Sequence, residues 1–562
     1  MSIKYQFEIG ENQKILSEAL QKVSDDQLLK KMWQKDGSVW TDDPRHHIVA
    51  ANRLGWLDLP SKMGCETEAL EDFAESKAFR KLKHIVHLGM GGSSLAPEVF
   101  YKTIGNAADY PELIVLDSTD PDYVDDVLKR IDPGMSLFII ASKSGTTVET
   151  HSLAEFFYER LVQADPESAA NHFIAITDPG TALQKEGEQK YAKVFVNPSD
   201  IGGRYSALSY FGIVPFALLG RDLKRFLEKA KEEESKCGKN VPPETCDPVK
   251  LGALLGKLAE ATQNKLTIQT SSSLSTVGWW IEQLVAESTG KEGKGILPVN
   301  GEELTAPAFY SSDRVFVYMK LHGDIELEKE EKLKILQSSG FPVVQIEIDN
   351  IYELGGLFYH WEVATAAAAS IMRIDPFDEP NVQESKDNTK RVLNEFRSTG
   401  RIEFDAAPIL DGEMRVYGNV ATAGDVDGVL TNLFAGRKAG DYLAIMAYLP
   451  RLQKVDELLS RFQAELRDRL KIPVTVGYGP RFLHSTGQFH KGGTKNGLYL
   501  QFVHQPQKDL AIPGESYTFS NLFLAQAAGD YISLKSKDKP VVSIVLGGDF
   551  YKQLAGIVGK IK

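Results

Sequence analysis

From residue 84 the chain sets short apolar runs at steady intervals: HIVHLGM, ELIVLD, LFIIASK, HFIAITD and VFVNPS. Between them, YVDDVLKRI and SLAEFFYERLV place apolar residues at helical spacing. Apolar runs without polar alternation suit strands covered on both faces, and regular exchange of strand and helix signals predicts a doubly wound parallel sheet. Upstream, LSEALQKVSDDQLLKKMW and ETEALEDFAESKAFRKL carry only the helical period. Residues 1–80 are therefore expected to form a helical lead-in, without strands.

A second α/β cycle follows a polar, Lys/Glu/Pro-rich stretch, KEEESKCGKNVPPETCDPVK, which reads as a linker. It runs through LGALLGKLAEATQ, KLTIQTS, TVGWWIEQLVAES, DRVFVYMKL and FPVVQIEI to an apolar segment, YELGGLFYHWEVATAAAASIMRI, expected as a long buried helix. A third cycle runs VDGVLTNLFAGRKAGDYLAIMAYLP, VDELLSRFQAELRDRL, LYLQFVH and YTFSNLFLAQAAGDYISL. Its element order resembles the second, and the stretches AESTGKEGKG (286–295) and HSTGQFHKGG (484–493) are expected at matching points of the two. Partial duplication and chance recurrence both remain open. With 562 residues the chain is too long for one core. The expected division is 1–80 helical lead-in, 81–235 first α/β domain, 236–400 second, and 401–562 a C-terminal α/β domain.

Composition narrows the partners. A formal charge of −13 argues against nucleic acid or an anionic membrane as main partner, because both need a basic face. The start, MSIKYQFEIGENQK, has no apolar core behind a basic end, and no long apolar run occurs, so a cytoplasmic protein is expected. Cys65, Cys237 and Cys246 form no disulfide framework and no metal spacing, and their expected role is structural or incidental.

The loops after the strands carry the candidate chemistry. LGMGGSSLAP (88–97) resembles a dinucleotide fingerprint, but Gly89, Gly91 and Gly92 do not complete G-x-G-x-x-G, because Ser94 stands last. Asp117 keeps a NAD reading open, and a plain tight turn is the other alternative. LFIIASKSGTTVET (137–150) puts Ser142, Ser144, Thr146 and Thr147 in one loop before a helix. Helix capping uses one or two such hydroxyls, not four, so this loop reads as a neutral donor cup for a phosphate dianion, as on a compact sugar phosphate. SDIGGRYSALS (199–209) sets Gly202 and Gly203 beside Arg204, so backbone and guanidinium can approach one ligand; a salt bridge is the alternative. No Walker lysine pattern, H-x-x-x-H pair or Cys/His cluster appears, so ATP and catalytic metal have no signature.

Taken together, GMGGSSLAP, ASKSGTTVET, GGRYSALS, QLVAESTGKEGKG and DPFDEPNVQESK resemble the phosphoglucose isomerases, in family order from about residue 85 to 390. HSTGQFHKGG and IPGESYTF resemble the isomerase portion of bifunctional transaldolase–phosphoglucose isomerases. The resemblance implies two sugar-isomerase (SIS) type domains plus a third C-terminal α/β unit, no cofactor, no metal, and interconversion of glucose 6-phosphate and fructose 6-phosphate. It implies that Ser142, Ser144 and Thr147 hold the phosphate, with the Lys143 backbone, Gly92 and Ser93 nearby and Gly203 beside Arg204. It further implies Arg204 at the reacting C1–C2 edge, Glu287 as base, Gln283 one turn before it on the same helix face, and Lys386 closing the C-terminal motif. Two positions depart from the family: Glu379 stands where Gln is usual, and GILPVNGEELTAP, after Glu287, holds no histidine.

Aldose–ketose isomerisation needs one base reaching both carbons and no redox cofactor, and partial burial raises a carboxylate's basicity. Opening the sugar ring needs a second acid–base group, and histidine titrates near the working pH. His484 is the candidate, assisted by Lys386, with His490 and His360 as alternatives. Supplied by the third unit of the same chain, His484 would do what a neighbouring subunit does in many dimeric isomerases. The expected state is therefore monomer or homodimer, leaning to monomer. A non-catalytic sugar-phosphate sensor and a NAD-dependent oxidoreductase are the rival functions; the sensor would not need Glu287, Arg204 and Lys386 together.

Overall fold

The computed structural model describes residues 3–76, 79–405, 407–418 and 423–560. Its first element contradicts the all-helical lead-in. Residues IKYQFE form a strand, β1 (Ile3–Glu8), paired antiparallel with a later strand in register Ile3↔Ile348 to Glu8↔Val343. Alternation of Ile3, Tyr5 and Phe7 with polar neighbours is the period-two signal for an edge strand. The helical stretch that follows also breaks: it runs Gln13–Asp25, turns at Gln27 in the left-handed region (φ 54°), and resumes as Leu28–Trp33.

Next comes a fully parallel sheet of β2 (His84–Gly89), β3 (Glu112–Leu116), β4 (Ser136–Ala141), β5 (Phe173–Thr177) and β6 (Lys193–Val196), in order β3-β2-β4-β5-β6. Every residue of β4 and β5 is buried, as expected for strands with helices on both faces. The second sheet holds β7 (Lys265–Thr270), β8 (Leu297–Asn300), β9 (Arg314–Leu321) and β10 (Val343–Ile348), in order β1-β10-β9-β7-β8. The third holds β11 (Ile409–Asp411), β12 (Met414–Gly418), β13 (Tyr442–Tyr448), β14 (Val474–Tyr478), β15 (Gly497–His504) and β16 (Val541–Leu546), in order β11-β12-β16-β15-β13-β14. Among the described strands, the antiparallel pairs are β1 with β10, β11 with β12 and β12 with β16.

The parallel strands of all three sheets share one order, second-first-third-fourth in the chain sequence of each sheet. The two Ser-Thr-Gly stretches nevertheless occupy different places. Ser288 and Thr289 end the helix Val277–Thr289 between β7 and β8, the first and second parallel strands of their sheet. Ser485 and Thr486 lie between β14 and β15, the second and third of theirs. The matching point read from sequence is thus not kept.

The apolar segment 352–374 is the helix Leu354–Met372, buried along its whole length, as an all-round apolar helix must be. It packs on the helix Asp247–Glu260, where a Cβ on Gly252 would lie 2.1 Å from the Ala364 carbonyl oxygen, so the two backbones touch only because that residue is glycine. The stretch read as a linker is not free chain. Its first six residues end the helix Leu223–Lys236, Glu233 is buried against His360, and Cys237 and Cys246 are buried with their sulfurs 3.4 Å apart. Among the described residues no helix is long and apolar enough to cross a membrane.

Candidate active site

In the first sheet the strand order reverses between β2 and β4, where parallel sheets open a crevice beyond their carboxyl ends. The loops from both strands enter it. After β4, Ser142 Oγ lies 3.0 Å from Thr147 Oγ1, and Ser144 Oγ lies 3.0 Å from Thr146 Oγ1. Gly145, at φ +65°, makes the turn between them. Thr147 is the N-cap of the helix Val148–Ala164, yet its side chain makes no capping bond. The hydroxyls therefore stand in two facing pairs in the loop that leads into the positive end of a seventeen-residue helix, an arrangement suited to an anion. The Lys143 side chain turns away to an ion pair with Asp178, leaving its main chain in the loop.

After β2, the glycine loop presses on two other parts of the site. A Cβ on Gly92 would meet the Gly203 carbonyl oxygen at 2.1 Å, and one on Gly91, at φ +53°, would meet the His484 carbonyl oxygen at 2.6 Å. Ser93 is buried in the same turn, Met90 to Ser93. The glycines thus let three chain segments converge, which is the close-approach role rather than a dinucleotide turn. Asp117 is committed elsewhere: nearly fully buried, it accepts from Arg481 Nε and lies 3.9 Å from Arg451, both brought by the third sheet's loops. That carboxylate is held by the two arginines rather than standing free as the acidic anchor of the NAD reading.

Arg204 projects from the turn Gly203–Tyr205 into a buried acceptor cluster. Its Nε donates to Ser288 Oγ at 2.9 Å, and Nη2 donates to the carbonyl oxygens of Pro376 and Asp378 at 2.6 and 2.8 Å. Nη1 donates to Glu379 Oε2 at 3.0 Å and lies 3.5 Å from Glu287 Oε1. Glu287 sits on the last turn of Val277–Thr289, and Gln283, one turn earlier, donates through Nε2 to Glu287 Oε2 at 3.1 Å. Burial pushes the Glu287 carboxyl above its ordinary value; Arg204 pulls it down and Glu379 pushes it further up. Glu379, where the family usually has an uncharged Gln, is therefore a direct partner of the arginine and raises the basicity of Glu287.

The same Gln283 Nε2 donates to the His484 carbonyl oxygen at 2.8 Å. His484 ends the turn Arg481–His484 after β14, and its Nε2 lies 3.0 Å from Glu149 Oε1. Glu149 stands in the first turn of the helix that follows the hydroxyl loop and also accepts from Gln526 Nε2 at 2.7 Å. Burial alone would raise the Glu149 carboxyl, but the His484 ring outweighs it, and the group stays below its usual range. Lys386 is exposed on the helix Pro380–Thr399; with Thr147, Glu149 and His484 it lines a cavity of about 380 Å³. It acts on Glu149 through charge.

The other histidines are elsewhere. His360 is buried between Glu233 Oε2 at 2.8 Å and the Tyr5 hydroxyl at 3.1 Å. His490 is fully enclosed, and burial holds its ring down at about 3. The two Ser-Thr-Gly stretches meet face to face: Gln488 Nε2 donates to the Gly290 carbonyl oxygen at 3.0 Å, and Gly293 N–H donates to the Gly492 carbonyl oxygen at 3.0 Å. Sequence reading missed Glu149, Gln526 and Ser288 as members of this cluster. Glu149 lies inside the quoted ASKSGTTVET motif, so a carboxylate in the first turn of that helix was the available signal; nothing local marks Gln526.

A family model described as phosphoglucose isomerase matches residues 65–300. That span contains both glycine loops, the hydroxyl loop and Glu287. Over that span the chain matches the phosphoglucose isomerase family. Similar curated members include a probable glucose-6-phosphate isomerase of Methanococcus maripaludis, 27% identical over 372 residues, which are 59% of this chain and 82% of that protein. The glucose-6-phosphate isomerase of Pediococcus pentosaceus is 29% identical over 392 residues, 60% of this chain and 86% of its own. Two solved structures share the fold. A hypothetical protein of Thermus thermophilus has a TM-score of 0.59 at 23% identity, covering 71% of this chain and 100% of its own. A glucose-6-phosphate isomerase from Chlamydia trachomatis has 0.55 at 19%, covering 70% and 89%. Against the phosphoglucose isomerase model, Lys386 and His484 lie beyond the matched span.

Proposed function

We propose that this protein is a member of the phosphoglucose isomerase family, an aldose–ketose isomerase that interconverts glucose 6-phosphate and fructose 6-phosphate in the cytoplasm, with a site built from a single chain. Ser142, Ser144, Thr147 and the Lys143 main chain bind the phosphate, with Ser93 and Gly92 beside them. His484, oriented by Glu149 and assisted by the Lys386 charge, takes the proton from the C1 hydroxyl and delivers one to the ring oxygen, opening the ring. Glu287 then removes the C2 proton; the electron pair forms the C1=C2 bond, and negative charge moves to the former carbonyl oxygen. Arg204 stabilises that oxygen, where charge appears only after the proton has left. The C2 hydroxyl proton then passes to O1, and as the C2=O bond forms Glu287 returns its proton to C1 to give the ketose. Gln283 and Gly203 hold the carboxylate and the arginine in place.

The observation that supports this reading best is one side chain: Gln283 Nε2 bonds Glu287 Oε2 and the His484 carbonyl oxygen together. With Arg204 3.5 Å from the same carboxylate, base, electrophile and histidine from three chain regions form one cluster. A sensor needs the hydroxyl loop but not that cluster. The test is conversion of fructose 6-phosphate without added cofactor, run in deuterated water. The expected product is glucose 6-phosphate carrying solvent deuterium at C2, and E287Q should lose both turnover and label. Binding of fructose 6-phosphate without turnover by the unaltered protein would favour the sensor.

A further inference from the structure

A second cavity, of about 880 Å³, lies between the second and third sheets, away from Arg204 and His484. One wall comes from the amino ends of β7 and β9, with Lys265 and Asp313, and the other from the segments leading into β14 and β15, with Lys471, Thr494 and Asn496. Lys294 stands on the loop between the walls. Interfaces between α/β units are common ligand sites, and a cavity of this size admits a small metabolite.

Its chemistry is that of an anion site. Lys265, Lys294 and Lys471 face only Glu260 and Asp313 among the charged lining residues, so the cavity is locally positive in a chain of net charge −13. Lys294 and Lys471 are exposed at its mouth. The Lys265 side chain is 1% exposed, its ammonium bonded to Asn264 Oδ1 at 2.6 Å and 3.8 Å from Asp313 Oδ2. Thr494 Oγ1 and Asn496 Oδ1 are buried and make no hydrogen bond with described residues. Small side-chain rotations would offer them to a hydroxylated ligand, which would satisfy their unmet hydrogen bonds.

The cavity also abuts the far ends of both Ser-Thr-Gly stretches. Gly293, Lys294 and Gly295 follow Glu287, and Thr494 and Asn496 follow His484, while the Gly293 N–H to Gly492 bond ties the two loops together. We propose that this cavity is a second binding site, for a small phosphorylated metabolite, and that its occupancy stiffens residues 291–296 and 492–497. The phosphate is held by the lysines and the hydroxylated body by the polar wall. Sugar phosphates and nucleotides share that chemistry.

The test uses the full chain carrying Thr147→Ala, which weakens the hydroxyl loop as a competing phosphate site. Inorganic phosphate, ribose 5-phosphate and AMP are titrated calorimetrically, and hydrogen exchange is followed with and without each. At least one organic probe is expected to bind with Kd below about 1 mM and to slow exchange at 291–296 and 492–497. Lys471→Glu and Lys294→Glu should each weaken it about tenfold, as expected for loss of a charge-assisted contact to phosphate. Preference for AMP identifies a nucleotide source, and equal binding of ribose 5-phosphate a sugar-phosphate source. No organic probe binding below about 1 mM overturns the proposal, as does binding that neither lysine reversal changes. None of these readings depends on catalysis.

Discussion

Replacing Arg204 by lysine separates the arginine's charge from its shape. The guanidinium serves five acceptors: Ser288 Oγ, the Pro376 and Asp378 carbonyl oxygens, Glu379 Oε2 and, at 3.5 Å, Glu287 Oε1. An ammonium has three donors on one atom, so at least two acceptors must go unserved. Each buried acceptor left without a partner costs about 1–3 kcal/mol. The arginine side chain is 2% exposed and that of Glu287 9%, so water does not replace the donor lost at Glu287, whereas Glu379, at 46%, can turn to solvent. If lysine satisfies the two main-chain carbonyls, the fold is kept and Glu287 loses its electrophilic neighbour. The developing enediolate then lacks a donor worth about 2.7–4 kcal/mol, a fall of about 10²–10³ in kcat. If it follows the carboxylates instead, the strap 376–379 loosens and the urea midpoint drops. The assay pairs turnover of fructose 6-phosphate, coupled to a glucose-6-phosphate dehydrogenase, with urea denaturation. An R204K protein with kcat within about threefold of the parent and an unmoved midpoint would refute the reasoning, because neither route to satisfying the acceptors permits it.

Glu287 must be ionised to act, and burial with Glu379 beyond Arg204 holds its carboxyl up, so activity should fall with acidification above the ordinary carboxylate range. Glu379→Gln removes one raising charge, and the acid limb of the kcat/KM profile should move to lower pH; a limb that stays or moves up contradicts the assigned cause. Mixing an E287A chain with an H484A chain should recover no activity, since both groups come from one chain; recovery would mean that subunits share a site. His490 is buried neutral, its ring held down at about 3 without hydrogen-bond partners among the described residues, whereas the unfolded ring titrates near 6.5. The stability it allows is full above 6.5 and is lost on acidification, at about 1.4 kcal/mol per pH unit between those values. Urea midpoints at pH 7 and pH 5 should therefore differ less in His490→Phe than in the parent, and an equal difference would show that the ring is not buried neutral.

Local chemistry determined most of the framework. Uninterrupted apolar runs such as LFIIASK and HFIAITD could only be strands covered on both faces, and the all-apolar segment 352–374 could only be an interior helix. The hydroxyls of SKSGTT and the glycines beside Arg204 marked the loops because their residue types exceed what capping or turning requires. The edge strand at Ile3–Glu8 was readable but short, and the helical period after it dominated the window.

Only the tertiary structure decided which long-range partners those residues take. Glu149 reads as an ordinary first-turn acid until β14 brings His484 to its carboxylate, 335 positions away. Asp117 keeps a ribose-binding appearance until Arg481 occupies it. Glu379 looks like a departure from the family until Arg204 is seen to share itself between Glu379 and Glu287. The two Ser-Thr-Gly stretches are alike in sequence, yet they sit at different points of their sheets and meet face to face. The physical reason is range. Periodicity and turn chemistry act between near neighbours, whereas a buried charge takes whichever partner packing delivers, and that depends on how three sheets stack.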